Sequence, residues 1–361
     1  MDVDPNVLLP PAEPISFLSP DGELSPDTPH LGISDEQLIG MYRDMVRLRT
    51  LDMASVALQR QGQLGVWASC RGQEGAQVGC GTALSDGDWV FPAYRDHGVT
   101  MVRGVPFESV LKQYKGVWHG CYDPYEYNVA SHSIPISTQL LHATGFATAA
   151  KFNGELTAVI TFTGEGGTSE GDFHEAVNFA AVYAAPVVFF IQNNQYAISV
   201  PREDQNAAPT IAHKGVGYGA KGFLVDGNDI IATHHVTRVA LERARSGRGP
   251  SIIEAVTYRM QPHTTADDDT RYRPSEELEE WGEKGPILRF DRFLRARGLL
   301  DDELAEQIAD EAQQEALRVR EDVVAAGPAP VEKMFDSVFT GITPQLERQK
   351  AFLTSELEVG E

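Results

Sequence analysis

Two apolar runs separated by a helical pattern dominate the middle of the chain. Residues 157–163 are β-branched and aromatic and stop at Gly164-Glu165-Gly166-Gly167; an amphipathic pattern follows over 172–184, and a second apolar run, 186–191, ends on Gln192-Asn193-Asn194. The pattern predicts strand, glycine turn, helix, strand. Two parallel strands joined by a helix form a right-handed crossover with their carboxyl ends side by side, which makes neighbours of Glu165 and Asn194.

The flanking sequence extends that unit. Residues 1–33 are proline-rich and aperiodic and read as an arm packed on the surface. Ser34 and Gln37 form a capping box, and Leu38, Met41, Met45 and Leu48 share one face of a helix that should run to a C-cap at Gly62. Residues 65–87 are glycine-rich and mixed, 107–118 amphipathic, and 120–133 irregular. Residues 134–139 enter a helix of small residues around 144–150. Downstream come a strand at 222–227, a helix at 230–245 and a strand at 250–258. This alternation predicts an α/β fold: a doubly wound, mostly parallel sheet with flanking helices, holding ligands at the carboxyl ends of its strands. The polar, acidic stretch 259–274 reads as a long functional loop, and helices follow at 275–281, 287–297 and 302–326. We expect an arm (1–33), one α/β domain (34–274) and a helical C-terminal part (275–361) packed on that domain.

Charge narrows the ligands. With 30 basic against 52 acidic side chains, the net charge of −22 opposes nucleic acid and anionic membranes, so a phosphate-bearing ligand needs a local arginine or a metal. Cys70, Cys80 and Cys121 form no C-x-x-C pair, as expected of a chain in a reducing cytoplasm. The first residues carry neither a basic leader nor an apolar run long enough to cross a bilayer, so neither secretion nor a membrane span is expected. His234 and His235 are adjacent on a predicted helix, face different directions, and read as surface residues.

The chemistry converges on the opening unit. A hard divalent cation prefers oxygen ligands. Glu165, the Asn194 amide oxygen and the Tyr196 carbonyl can supply them, with phosphate oxygens completing the shell. Gly164, Gly166 and Gly167 allow close main-chain approach to a diphosphate, and the next helix aims its N-terminal amides the same way. In Tyr94-Arg95-Asp96-His97-Gly98, Arg95 is a guanidinium fork matched to phosphate.

These motifs carry a family resemblance. Gly164-Glu165-Gly166 followed by Asn193-Asn194 resembles the thiamine-diphosphate motif. Gln59-Arg60-Gln61-Gly62, Gly72-Gln73-Glu74-Gly75, Tyr94-Arg95-Asp96-His97-Gly98, Thr168-Ser169-Glu170-Gly171-Asp172, Val225-Asp226-Gly227, His263 and Tyr272-Arg273 together resemble the alpha subunit of heterotetrameric 2-oxo acid dehydrogenases. The resemblance implies a thiamine-diphosphate-binding fold in which Tyr94 and Arg95 hold the diphosphate, with Gln192 also in the cofactor site but at a position where one diphosphate contact is missing. Glu165, Asn194 and the Tyr196 backbone hold Mg²⁺, and Ile136, with Ile134 beside it, supports the cofactor's bend. It places His263 at the thiazolium end, handling substrate and the lipoyl group, with Arg259, Tyr272 and Arg273 of the same loop among the catalytic residues. Ser133, Pro135, Thr138 and Gln139 fall where mammalian relatives have a K⁺-supported loop.

The resemblance also implies partners: a beta subunit that completes two-alpha, two-beta active sites and supplies the acid at the pyrimidine ring, and the lipoyl domain of a dihydrolipoyl acyltransferase. The implied reaction is oxidative decarboxylation of a 2-oxo acid with reductive acylation of the lipoyl group. Two positions depart from the common pattern: Gln192 stands where mitochondrial branched-chain relatives have arginine, and Glu165 replaces the commoner aspartate of the wider motif. Thr264 occupies the place of a regulatory phosphoserine and by itself predicts no phosphorylation. The arm from Asp21-Gly22-Glu23 to Pro29-His30-Leu31 resembles branched-chain enzymes, which favours a branched-chain 2-oxo acid over pyruvate, dual use or an acetoin dehydrogenase.

Overall fold

The capping box opens the first long helix as the side chains require. In the computed structural model, which describes residues 5–336 and 338–359, helix α1 spans Asp35–Arg60. Ser34 Oγ accepts from the Gln37 amide and Gln37 Oε1 accepts from the Ser34 amide. Leu38, Met41, Met45 and Leu48 are buried along one face, and Gly62, with φ of 75°, leads the chain away just past the C-cap Gln61.

Helix α2, Glu74–Gly81, lies in the glycine-rich stretch that gave no helical signal. A Cβ at Gly75 would sit 2.8 Å from the Gly227 carbonyl oxygen and one at Gly79 would sit 2.8 Å from that of Ile230, so close docking accounts for these glycines. Then come β1 (Trp89–Phe91), α3 (His97–Val102), α4 (Phe107–Lys115), α5 (Thr138–Phe152), β2 (Val159–Gly164) and α6 (Gly171–Val182). They are followed by β3 (Val187–Asn193), β4 (Lys221–Asp226), α7 (Ile230–Arg245) and β5 (Ser251–Val256).

The five strands form one sheet in the order β1-β2-β3-β5-β4, and every pairing is parallel. Strand β3 is buried at each position, and its alternate residues divide the core. Val187, Phe189 and Ile191 pack with Leu140, Ala147 and Phe173 of α5 and α6, whereas Val188 and Phe190 join Met45, Val78 and Val236 from α1, α2 and α7. Helices therefore cover both faces, which explains why the strands are apolar runs without alternation. Burial of each large apolar side chain here contributes about 1.5–3 kcal/mol.

The proline-rich arm reaches the free side of β4. The Ile15 amide donates to the Leu224 carbonyl at 2.9 Å and the Ile15 carbonyl accepts from Asp226 at 3.0 Å. The Asp229 carboxylate secures the next residues by accepting from the Phe17 and Leu18 amides, both at 2.6 Å.

After a loop whose sole regular element is a 3-10 turn at Asp269–Arg271 come α8 (Ser275–Glu283), α9 (Pro286–Ala296), α10 (Asp302–Ala325) and α11 (Pro344–Val359). Helix α10 buries Ile308, Ala312, Val319 and Val323, and is tied to α1 by a two-bond ion pair from Arg47 to Glu315, both contacts at 2.7 Å. His234 and His235 are half-buried rather than at the surface, with His234 Nδ1 3.1 Å from Thr82 Oγ1. The three cysteines are unpaired. Among the described residues, no helix is long and apolar enough to cross a membrane.

Candidate active site

The register of β2 and β3 places Gly164 opposite Gln192, so the residues that follow each strand meet at the sheet's carboxyl edge. There the Glu165 carboxylate accepts from the Asn194 amide at 3.0 Å. Glu165 is 1% exposed, and burial raises its pKa, because a carboxylate loses hydration there faster than the amide bond and nearby arginines restore it. Beside it, Asn194 Oδ1 is buried without a hydrogen-bond partner. A desolvated carboxylate next to an orphaned amide oxygen is a donor pair short of a cation.

The glycine turn is crowded by protein. A Cβ on Gly166 would lie 2.7 Å from that of Ala197, and one on Gly167 would lie 2.1 Å from Thr163 Oγ1 and 2.7 Å from Ser137 Oγ. Ser137, at φ of 65°, donates from Oγ to the Gly167 carbonyl at 2.8 Å and fastens the loop before α5 to this turn. Left-handed backbone at a residue other than glycine costs about 1 kcal/mol or more, a strain typical of functional sites.

A cavity of about 250 Å³ opens at this edge, lined among others by Glu165, Asn194, Tyr94, Arg95, Ile136 and His263. Arg95 donates through Nη1 to the Ser69 carbonyl at 2.6 Å and through Nη2 to the His263 carbonyl at 2.8 Å; the same nitrogen lies 3.2 Å from His263 Nδ1. Its guanidinium thereby links two loops while facing the cavity. Burial, with the charges of Arg95 and Arg259, pushes the His263 pKa down to about 3, so its imidazole is neutral near pH 7. Tyr94 meets the His263 ring edge-on at 6.1 Å.

Several residues singled out in the sequence stand elsewhere. Ile134 is 53% exposed and lines a separate depression with Tyr114 and Trp118, whereas Pro135 and Ile136 line the cavity. Arg259, Tyr272 and Arg273 do not line the cavity either. Arg259 is wholly buried, donating to the carbonyls of Tyr196 (2.9 Å), Ile198 (2.7 Å) and Gln261 (3.3 Å) and to the Tyr272 hydroxyl (2.9 Å). Arg273 bonds the Arg259 carbonyl and Asp269 and lies over the Tyr258 ring. These three residues hold the loop together beside the cavity rather than lining it. Tyr196 and Gln192 do line the cavity, but one lone pair of the Tyr196 carbonyl is engaged by Arg259, and Gln192 is committed to Asp96 as donor and to Gln77 as acceptor.

Gln73 escaped the sequence reading. It lines the same cavity, is 0% exposed, and neither its amide nitrogen nor its oxygen has a partner. Its signal lay in the quoted Gly72-Gln73-Glu74-Gly75 run, where a glutamine immediately precedes a tightly docked helix. Asp96 lines the cavity too; its carboxylate accepts from the Ala93 amide and from Gln192, and burial raises its pKa to about 7.

The residues present fit a metal-bound diphosphate. An anion-matching arginine, a carboxylate and an unsatisfied amide oxygen face one cavity at the end of a glycine turn. Among the described residues, no group of three or more His, Cys, Asp or Glu side chains could hold a metal.

Such a site on a parallel sheet defines a cofactor-using α/β enzyme. The chain belongs to the dehydrogenase E1 component family, whose model matches residues 42–333. It is 46% identical over 346 residues to the 3-methyl-2-oxobutanoate dehydrogenase subunit alpha of Mycobacterium tuberculosis, covering 96% of this chain and 94% of that relative. It is 39% identical over 325 residues to the pyruvate dehydrogenase E1 component subunit alpha of Bacillus cereus, covering 90% and 87%. Against the corresponding Staphylococcus epidermidis subunit the identity is 38% over 338 residues, covering 93% and 91%.

Proposed function

We propose that this chain is the alpha subunit of a thiamine-diphosphate-dependent 2-oxo acid dehydrogenase acting on branched-chain 2-oxo acids and passing the acyl group to a lipoyl domain. The observation that carries the reading is the pair formed by Glu165 and the orphaned Asn194 Oδ1 in a cavity shared with Arg95 and His263. Glu165 and Asn194 would hold Mg²⁺, aided by the second lone pair of the Tyr196 carbonyl. Arg95 would take a diphosphate oxygen, and Gln73 would give its amide to the same ligand. Ile136, an apolar side chain lining the cavity, would support the bound group. The unpartnered Gln139 Oε1 favours K⁺ support of the loop before α5.

When bound, thiamine diphosphate supplies a nucleophilic carbon and an electron sink for loss of carbon dioxide. The neutral His263 can give or accept one hydrogen bond at the cavity wall, and with its depressed pKa it orients an acyl or lipoyl group rather than adding positive charge. Burial around Glu165 and Arg95 excludes water and strengthens every charge interaction made with the ligand.

A beta subunit completes the site in this reading. Helix α5 keeps Gly145 and Ala149 outward, and nearby Phe152 (73% exposed) and Val182 (70% exposed) give an apolar face suited to such a partner. The branched-chain preference is favoured by the higher identity to the mycobacterial relative. A lipoyl-acceptor assay of the alpha-plus-beta complex should show a higher kcat/KM for 3-methyl-2-oxobutanoate than for pyruvate; the reverse order would overturn the substrate assignment. Asn194→Ala should weaken Mg²⁺-dependent cofactor retention by about tenfold or more, measured by calorimetry.

A further inference from the structure

Apart from that cavity, a smaller one of about 90 Å³ lies between the α2 entry, residues 258–260 and the start of α9. Its walls are apolar: Tyr258 and Trp281 stack at 5.3 Å, and Met260 and Leu288 close the remainder. Its polar groups are incompletely matched. Arg71 has no hydrogen-bond or ion-pair partner for its side chain among the described residues. The neighbouring Arg49 is paired with Glu74, whose carboxylate also accepts from the Gly72 amide, so Arg71 is the uncompensated charge. Helix α9 has Gly285 as its N-cap, with no side-chain cap, and Pro286 in its first position. Its first-turn amides, those of Ile287 and Leu288, lie where an anion is favoured.

Asn228 supplies a second requirement. It is 3% exposed and lines this cavity; its Nδ2 donates to the Lys284 carbonyl at 3.2 Å, while Oδ1 has no partner. Exchanging the amide atoms would set Oδ1 against that carbonyl, so the orientation is determined by the bond. A ligand here needs a negative end for Arg71 and the α9 amides, a donor for Asn228 Oδ1, and a short apolar part for the Tyr258–Trp281 wall.

We propose that this cavity binds a small carboxylate bearing an adjacent hydrogen-bond donor, of the α-amino or α-hydroxy acid class. A 2-oxo acid is disfavoured, since its keto oxygen would oppose Asn228 Oδ1. The site is thus chemically distinct from the larger cavity and does not depend on the function proposed for it.

The test is isothermal titration of the full chain, co-expressed with its partner subunit and stripped of thiamine diphosphate, against L-valine, L-lactate, pyruvate and inorganic phosphate. The expected result is saturable binding of L-valine or L-lactate with Kd of about 1 mM, weakened about tenfold or more in Arg71→Met and partly restored in Arg71→Lys. Heat from valine alone assigns the amine, and heat from lactate alone the hydroxyl. Asn228→Leu should remove the preference for either acid over pyruvate, and thermal melting verifies that each variant is folded. The proposal is overturned if neither acid binds the wild type, if binding is indifferent to Arg71, or if phosphate alone or pyruvate equally well occupies the Arg71-dependent site.

Discussion

Gln73 shows how a single residue can be destabilising in the cofactor-free chain and useful once a ligand arrives. Its two unpartnered amide atoms each bear a desolvation cost of about 1–3 kcal/mol, which a ligand in the large cavity can remove. Gln73→Met keeps the shape and discards the polar atoms. It should raise the melting temperature of the cofactor-free protein while weakening cofactor binding, and a loss of stability without any loss of affinity would refute this role.

Buried histidines set the acid response. His132 is 5% exposed with neither ring nitrogen partnered, and burial lowers its pKa to about 4. Between about 6.5 and 4 the unfolded chain takes up a proton that the folded one refuses. The stability present above 6.5 is therefore lost as pH falls through that window, by about 3 kcal/mol at most. Asp96 acts in the opposite sense: its raised pKa means the folded form keeps its proton longer, so its contribution declines as pH rises towards about 7. In His132→Leu the melting temperature should change less between pH 8 and pH 4.5 than in the wild type, as read by circular dichroism.

At the level of elements, the juxtaposition of Glu165 and Asn194 could be read directly from the chain, because a parallel crossover has only one sensible hand and the strand ends were marked by glycine and amide residues. Helix α1 was equally legible, since its capping box and apolar face are local. Helix α2 was hidden: Gly75 and Gly79 argue against a helix by propensity, and only docking against residues 227–230 explains them. The 259–274 loop was legible only as a loop, not in its internal contacts. Arginine and tyrosine in a polar stretch look like exposed chemistry, yet Arg259 is buried among carbonyl oxygens supplied by segments distant in sequence. Arg259→Met should leave those carbonyls unpaired and release the His263 loop, costing about 2–4 kcal/mol in urea denaturation and accelerating hydrogen exchange over 259–274. Unchanged exchange there would show that the loop is held by other contacts.

For the whole molecule, one parallel sheet with its helices would hold only the diphosphate side of the proposed reaction. The exposed apolar face at Phe152, Phe179 and Val182, where Phe179 stacks on Tyr183, is the place to test completion by a second chain. Val182→Lys should fold normally yet weaken association with the beta subunit by about tenfold or more in sedimentation experiments, with turnover falling in parallel. The isolated chain should not turn over a 2-oxo acid at the rate of the complex.

The hydrogen bonds between Ile15 and β4 have a consequence for solubility. A parallel sheet ending on an uncovered strand offers its unpaired amides and carbonyls to any neighbouring chain, the template from which edge-to-edge aggregation grows. The arm occupies part of that template with its own backbone, and its prolines cannot donate onward. What looks like a loosely organised segment thus acts as a terminator at the β4 edge, where a strand of another molecule would otherwise pair.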